Sequence, residues 1–269
     1  DIGGWVDTVQ SVLETGSASR EARDLWGETA LLKAARQARR KVVDALQRHG
    51  ADIGARDDMG NTLLMWSIRN GWGDLVTHLL KHHSSTLADK SIALAAAVKR
   101  GRHLEVSQLI ELGAKQSVDS QGRTLLMSAA ASGYRDVCWL LLKHGAEVDA
   151  TNDAGETAMM LAAQQGEGGC LPLLARWRAC VDCRDAGGQT ALMKAAQYGS
   201  SDHVRILLKL GARPSERDAR DRTALLLAAR EGHRGCVVEL LGRRPRPTVA
   251  DIIHEMGLSR VEELFDQEP

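Results

Sequence analysis

The sequence predicts an all-α solenoid of stacked helix–turn–helix units whose neighbours are joined by hairpin-like fingers. Two observations carry that reading. Threonine recurs at Thr29, Thr62, Thr124, Thr157, Thr190 and Thr223, and the first step and the last three are each 33 residues. Ile92 stands where the missing threonine belongs, with steps of 30 and 32. Other residue types keep the same phase. Asp24, Asp57, Asp119, Asn152, Asp185 and Asp218 lie five before the threonine or its substitute, and Gly27, Gly60, Gly122, Gly155 and Gly188 lie two before it. Gly71, Gly101, Gly133, Gly166, Gly199 and Gly232 lie nine after it. Self-similarity at this period is the mark of stacked repeats, each unit unable to bury its apolar face alone.

Each position has a mechanical reason. Asp bonds to its own nearby backbone and Gly accepts positive φ, so Asp-x-x-Gly makes a turn. The threonine hydroxyl then caps the first helix by taking an orphan backbone N–H. That helix is short and Ala-rich, as in Ser128-Ala129-Ala130-Ala131. Small side chains let neighbouring units approach closely. The glycine that follows ends it with a left-handed turn. In the second helix apolar residues fall three and four apart, as in Val137, Leu140 and Leu141 or Val204, Leu207 and Leu208. Gly50, Gly113, Gly145 and Gly211 close it, while His83, Arg178 and Arg244 stand at that position in three other units. The third unit is worn, with neither the threonine nor Asp-x-x-Gly.

Here the residues resemble the ankyrin-repeat family, whose signature is a turn followed by Thr-Pro-Leu-His-x-Ala. The run Asp153-Ala154-Gly155-Glu156-Thr157-Ala158-Met159-Met160-Leu161-Ala162-Ala163 matches it closely. Seven units begin near residues 24, 57, 87, 119, 152, 185 and 218 of a single domain over 1–269. A partial unit over 1–23 precedes them, with Gly4 to Leu13 reading as a second helix without its first, so the chain is expected to be a fragment of a longer protein. Residues 248–269 read as a capping unit with the polar outer face a terminal repeat needs. Two departures stand out. Proline never follows the threonine, and the family histidine is replaced by Met65, Met127, Met160, Met193, Leu32 or Leu226. The turns are therefore expected to be held more by packing than by hydrogen bonds.

Composition narrows the function. With 35 Lys+Arg against 35 Asp+Glu, the chain lacks the positive field that nucleic acids and anionic membranes attract. No apolar run approaches the roughly 20 residues that span a bilayer. Five scattered cysteines favour a reducing intracellular setting, cytoplasmic or nuclear. Cys180-x-x-Cys183 has no second pair to complete a zinc site, and by phase Cys183 is a finger residue. No Gly-rich loop, Gly-x-Ser-x-Gly or His-Glu-x-x-His is present, so neither an enzyme nor a cofactor is expected. The methionine series reads as core between stacked helices. Arg39-Arg40-Lys41 and Arg243-Arg244-Pro245-Arg246 read as solvated helix ends.

In the family, ligands lie across the fingertips and the exposed side of the first helices, and the resemblance implies the same surface here. At its N-terminal end that surface takes Arg23, Arg56, Trp26 and Met59 from the fingers. Arg36, Arg69, Lys99 and Arg100 come from the first helices, with Trp66 close to the same face. Further along come Arg123, Gln164, Gln197, Tyr198 and Arg230. Arg and Trp dominate binding hot spots, so the partner is expected to be a protein or peptide with acidic residues and apolar anchors, bound by a monomer. The stretch Thr62 to Trp66 also resembles ankyrin adaptors that hold peptides over an exposed Trp, and Trp139 is placed by phase on the outer surface. Two other readings stand beside the scaffold or adaptor. One is an RNA- or nucleotide-binding array, marked by a steep salt dependence. The other is the targeting domain of a larger enzyme.

Overall fold

The computed structural model describes residues 21–82, 86–165 and 169–242. The helix expected over residues 4–13, the capping unit at 248–269, and Gly166, His83 and Arg244 lie outside the described residues.

The chain forms two compact units. The first, residues 1–116, holds α1 (Ala30–Arg36), α2 (Arg40–Arg48), α3 (Leu63–Asn70), α4 (Gly73–His82), α5 (Leu87–Lys99) and α6 (His103–Glu111). The second, residues 117–269, holds α7 (Leu125–Ala131), α8 (Arg135–Lys143), α9 (Ala158–Gln165), α10 (Cys170–Arg176), α11 (Ala191–Gln197), α12 (Ser201–Lys209), α13 (Ala224–Arg230) and α14 (Arg234–Leu241). All regular elements among the described residues are helices, in consecutive short pairs. In each unit the inner helices pack on one another, α1 on α3 and α3 on α5 in the first, α7 on α9, α9 on α11 and α11 on α13 in the second. Each also packs on its own outer partner.

Helix starts follow the threonines. Thr29, Thr124, Thr157, Thr190 and Thr223 each accept the backbone N–H three residues on. Thr62 does not, and its hydroxyl oxygen is buried without a partner. The worn repeat follows a different rule. Ile92 does not begin a helix. The 13-residue α5 starts at Leu87, capped by Thr86 in a reciprocal capping box with Asp89, and Ile92 lies half-exposed inside it. The expected phase was displaced because a good cap and acidic third residue occur earlier in the chain.

Each unit has its own buried aliphatic seam. Leu31, Leu32, Leu63, Ile68, Leu94, Leu126, Leu161 and Leu192 are all buried, together with Ala35, Ala97, Ala130, Ala163 and Ala196. Met65, Met127, Met160 and Met193 are buried with them, as core.

The fingers are turns closed by one rule and contain no strand among the described residues; two register as isolated antiparallel bridges, Arg56 with Thr62 and Val118 with Thr124. In each, the leading Asp or Asn accepts two N–H groups through Oδ1, from two and four residues on: Asp57 takes Met59 and Asn61, Asn152 takes Ala154 and Glu156, and Asp218 takes Arg220 and Arg222. Successive fingers are then laced by backbone bonds, Asp58 N–H to the Trp26 carbonyl in the first unit, and Asp153 to Gln121, Ala186 to Ala154 and Ala219 to Gly187 in the second. Hydrogen bonds therefore hold the turns despite the missing family histidine, because the Asp/Asn side chains supply them.

Among the described residues, three other than glycine take positive φ: Ala38 (56°), Arg178 (62°) and Asp221 (60°). Each stands where most other units carry a glycine, after the first helix, after the second, and two before the threonine. Left-handed backbone costs an L-residue about 1–2 kcal/mol, and glycine gives back about 0.5–1 through unfolded-state entropy. Ala38→Gly with Arg178→Gly is thus expected to raise the unfolding free energy by about 1 kcal/mol in urea titrations. Asp221→Gly should be near neutral, since Asp tolerates this conformation and its carboxylate accepts from Arg217 at 2.8 Å. A loss of stability in the double variant would mean that the bends themselves, not the missing glycines, set the local cost.

Candidate partner-binding sites

In the first unit two neighbouring fingertips expose three large apolar side chains. Leu25 is 94% exposed, Trp26 63% and Met59 89%. The Asp58–Trp26 backbone bond of 3.1 Å makes the two tips one surface. Sequence reasoning found Trp26 and Met59 but missed Leu25, although an apolar pair inside an Asp-x-x-Gly turn was a visible signal. Lys33 sits 5.9 Å from the Trp26 ring and 2.8 Å from Asp24.

The arginines of this face divide into two groups. Arg23 donates to the carbonyls of Gly27 (3.1 Å) and Arg56 (2.6 Å), Arg56 donates to Asp89 at 2.6 Å, and Arg36 pairs with buried Glu28 at 2.6 Å. These three tie one repeat to the next or a finger to its helix. Arg100 reaches the Arg69 carbonyl at 3.4 Å, and Lys99 is exposed. Trp66 differs from expectation. It is buried, at 8% exposure, with the Arg69 guanidinium 5.0 Å from its ring centroid and its indole N–H lacking a partner. The large side chain turns into the seam between inner helices instead of offering a platform.

In the second unit the inner helices carry a buried charged network. Lys194, only 8% exposed, lies 3.0 Å from Glu156 and 2.8 Å from Asp185. Asn152 donates to Glu156 at 3.0 Å, and Gln164 donates to Glu156 at 3.5 Å. Burial pushes the Glu156 carboxyl up, but the bonds from Asn152 and Lys194 and the charge of Arg123 outweigh it and hold it below the usual range. Lys194 is raised above its ordinary value, its own desolvation being outweighed by the bonds to and charges of Asp185 and Glu156. Lys194 was missed by sequence reasoning, since a lysine four after the threonine looks like any surface lysine. Arg123 is half-buried with its Nε unpartnered. Gln197 accepts from Gln189 at 3.2 Å, and the His233 ring lies 2.9 Å from the Gln197 carbonyl. Tyr198 is 57% exposed and Arg230 is exposed. Arg184 pairs with Glu216 and donates to the Arg217 carbonyl, tying fingers as Arg23 does. A cavity of about 330 Å³ opens between the last two described fingers and α11, lined by Gly187, Gln189, Gln197, Ala219, Arg220 and Arg222.

Three runs, residues 3–90, 64–152 and 145–218, match the family model described as ankyrin repeats in three copies. Together they cover well over half of the sequence. The chain belongs to the ankyrin-repeat family. It is 30% identical over 152 residues to the Danio rerio neurogenic locus notch homolog protein 1, covering 55% of this chain and 6% of that protein. It is 30% identical over 159 residues to the Caenorhabditis elegans ankyrin repeat and KH domain-containing protein mask-1, covering 57% and 6%. A third relative is the ankyrin repeat domain-containing protein SAT10 of Stachybotrys chartarum, 29% identical over 123 residues, covering 45% and 6%. The chain thus spans about 6% of the length of these relatives.

Ankyrin repeats are in general protein–protein interaction modules. In this ankyrin chain, no group of three or more His, Cys, Asp or Glu among the described residues could hold a metal. No helix of the described residues is long and apolar enough to cross a membrane. Trp139 is 45% exposed with Lys143 5.0 Å from its ring, as its phase implied. Two readings need correction. Cys180 and Cys183 are joined in a disulfide, which the finger position alone did not suggest: the turn after α10 brings their Cα atoms to 5.4 Å, within bridging reach. Arg40 is no solvated helix end. It holds both oxygens of Asp74 on α4, at 2.8 and 3.0 Å, and Asp44 at 2.8 Å.

Proposed function

We propose that this chain is a non-catalytic adaptor module that captures a peptide segment of a partner protein on the fingertips of its first unit. The single observation that supports this most is the exposure of Leu25, Trp26 and Met59 on two hydrogen-bonded fingers. Large apolar groups at a turn tip stay mostly in water, and exposed apolar patches of this kind mark interaction sites where a partner can bury them. Each buried aromatic or methionine anchor is worth about 1.5–3 kcal/mol, and the tips are held in place beforehand, so little ordering entropy opposes binding. One cation stands beside the anchors, Lys33 at 5.9 Å from the Trp26 ring. Lys99, Arg69 and Arg100 lie on or beside the inner helices of the same unit, which suits apolar anchors flanked by Asp or Glu.

The test is selection of a random 12-residue displayed peptide library on the immobilised chain. Recovered peptides should carry an aromatic or aliphatic anchor beside acidic residues. They should lose about tenfold or more in affinity for Trp26→Ala/Met59→Ser, whose circular dichroism should match the parent. Peptides that bind the double variant undiminished would remove the fingertips from the site.

A further inference from the structure

The cavity in the second unit carries a separate ligand preference. In three repeats, the residue before the threonine meets the residue eight further on: Glu28 pairs with Arg36 at 2.6 Å, Gln164 donates to Glu156 at 3.5 Å, and Gln189 donates to Gln197 at 3.2 Å. The equivalent positions in the last described repeat are Arg222 and Arg230, two cations. Arg222 spends its Nε and Nη2 on buried Asp218, at 2.9 and 2.7 Å, which neutralises that pair. Arg220, at the fingertip, is exposed and makes no side-chain bond among the described residues, and neither does Arg230. Of these two, Arg220 lines the cavity and Arg230 does not, so Arg220 gives the wall uncompensated positive charge over a floor of paired glutamine amides.

We infer that this cavity is a carboxylate-binding site, taking an aspartate or glutamate side chain of a partner peptide. The state of its backbone donors favours carboxylate over phosphate. Phosphate sites draw on clustered backbone N–H groups, as at nests and helix N-termini. Here those groups are all spent: Gly187 and Gln189 donate to Asp185 Oδ1, Arg220 and Arg222 to Asp218 Oδ1, and Ala219 to the Gly187 carbonyl, all within 3.0 Å. What remains is side-chain donation, from the Arg220 fork, Arg222 Nη1 and the Gln197 amide. A planar guanidinium fork matches the two oxygens of a carboxylate. Gly187 and Ala219 leave the mouth unobstructed, and the His233 ring at the Gln197 carbonyl pins the floor. About 330 Å³ accommodates one such side chain with part of its backbone.

This site rests on the reading of the chain as a peptide binder but not on its fingertip anchors. The probes are fluorescein-labelled Ala/Ser octapeptides carrying one central Glu, Gln or phosphoserine, titrated by anisotropy against the whole chain. The Glu peptide should bind about tenfold tighter than the Gln peptide. Arg220→Gln should abolish that preference, and Trp26→Ala/Met59→Ser should keep it. Equal binding of Glu and Gln peptides, no measurable binding of either, or a preference that survives Arg220→Gln would overturn the assignment. Tighter binding of the phosphoserine peptide than the Glu peptide would replace carboxylate with phosphate and overturn it too. Loss of preference in the fingertip variant would merge the two sites and refute their independence, whereas failure of the fingertip reading alone leaves the Glu-over-Gln ratio intact.

Discussion

Lys194→Met is expected to destabilise the second unit by about 3–5 kcal/mol, because it removes one member of a buried charged set and leaves the others behind. Lys194 bridges repeats, with Glu156 of the preceding finger at 3.0 Å and Asp185 of its own at 2.8 Å, and all three side chains are no more than 12% exposed. Methionine fills much of the same volume, so the deficit would be electrostatic. The control is the triple variant Lys194→Met/Glu156→Gln/Asp185→Asn, in which no charge is stranded. It should recover most of the loss, since a neutral, well-packed replacement of a buried ion pair is often close to isoenergetic. Urea unfolding followed by circular dichroism reads both. A Lys194→Met variant as stable as the parent would mean that water already solvates these carboxylates.

Acid sharpens the test. Glu156 is held below its ordinary range in the folded chain, so its contribution is complete above the unfolded value near 4.3 and disappears as pH falls through the lower folded value. Lys194 is raised, so its contribution is complete below its unfolded value near 10.4 and disappears only as pH rises through the higher folded one. The network is thus level between about pH 5 and pH 10. In Lys194→Met, protonating Glu156 relieves a stranded charge, while in the parent it breaks a bond. The stability gap between the two should shrink as pH is lowered toward about 3.

The repeat itself was legible because its signals are local. A threonine cap, an Asp that folds onto its own backbone and a glycine at positive φ each act within a few residues, and their phase survives in the sequence. The worn repeat shows the limit of that logic: Thr86 with Asp89 was an equally local signal, but counting from Thr62 led to Ile92. Site residues were less legible because a surface position does not say what its side chain reaches. Arg23, Arg56 and Arg184 share one repeat position and look like a cationic strip. The structure spends all three on the neighbouring finger or helix. Trp66 was placed correctly along the helix and wrongly in depth, since exposure depends on what the next repeat packs against it. Arg220 escaped notice because its significance comes from Gly187 and Gln197, more than twenty residues away, whose positions only packing reveals.

Gly188→Ala is the second large effect expected, a loss of about 3 kcal/mol, and its force comes from comparison with Gly60→Ala. Both glycines lie two before the capping threonine, with φ of 74° and 78°. Their left-handed penalty is therefore the same, about 1–2 kcal/mol. Their surroundings differ. A Cβ on Gly60 would meet nothing within 4 Å, but one on Gly188 would lie 2.9 Å from the Ala219 amide nitrogen and 3.3 Å from the Asp218 backbone. Backbone atoms cannot swing aside as a side-chain tip can. Relief requires the two fingers to part, which lengthens the Ala219-to-Gly187 hydrogen bond of 3.0 Å and disturbs the turn that Asp218 holds. That bond adds about 0.5–1.5 kcal/mol to the conformational cost, and the overlap supplies the rest. Gly60→Ala should lose only the conformational part, and amide exchange should quicken at Ala219 in the first variant while the Asp58 amide stays protected in the second. Equal losses at the two sites would show that the fingers of the second unit separate freely, and the cavity between them would then lack the fixed walls that carboxylate recognition requires.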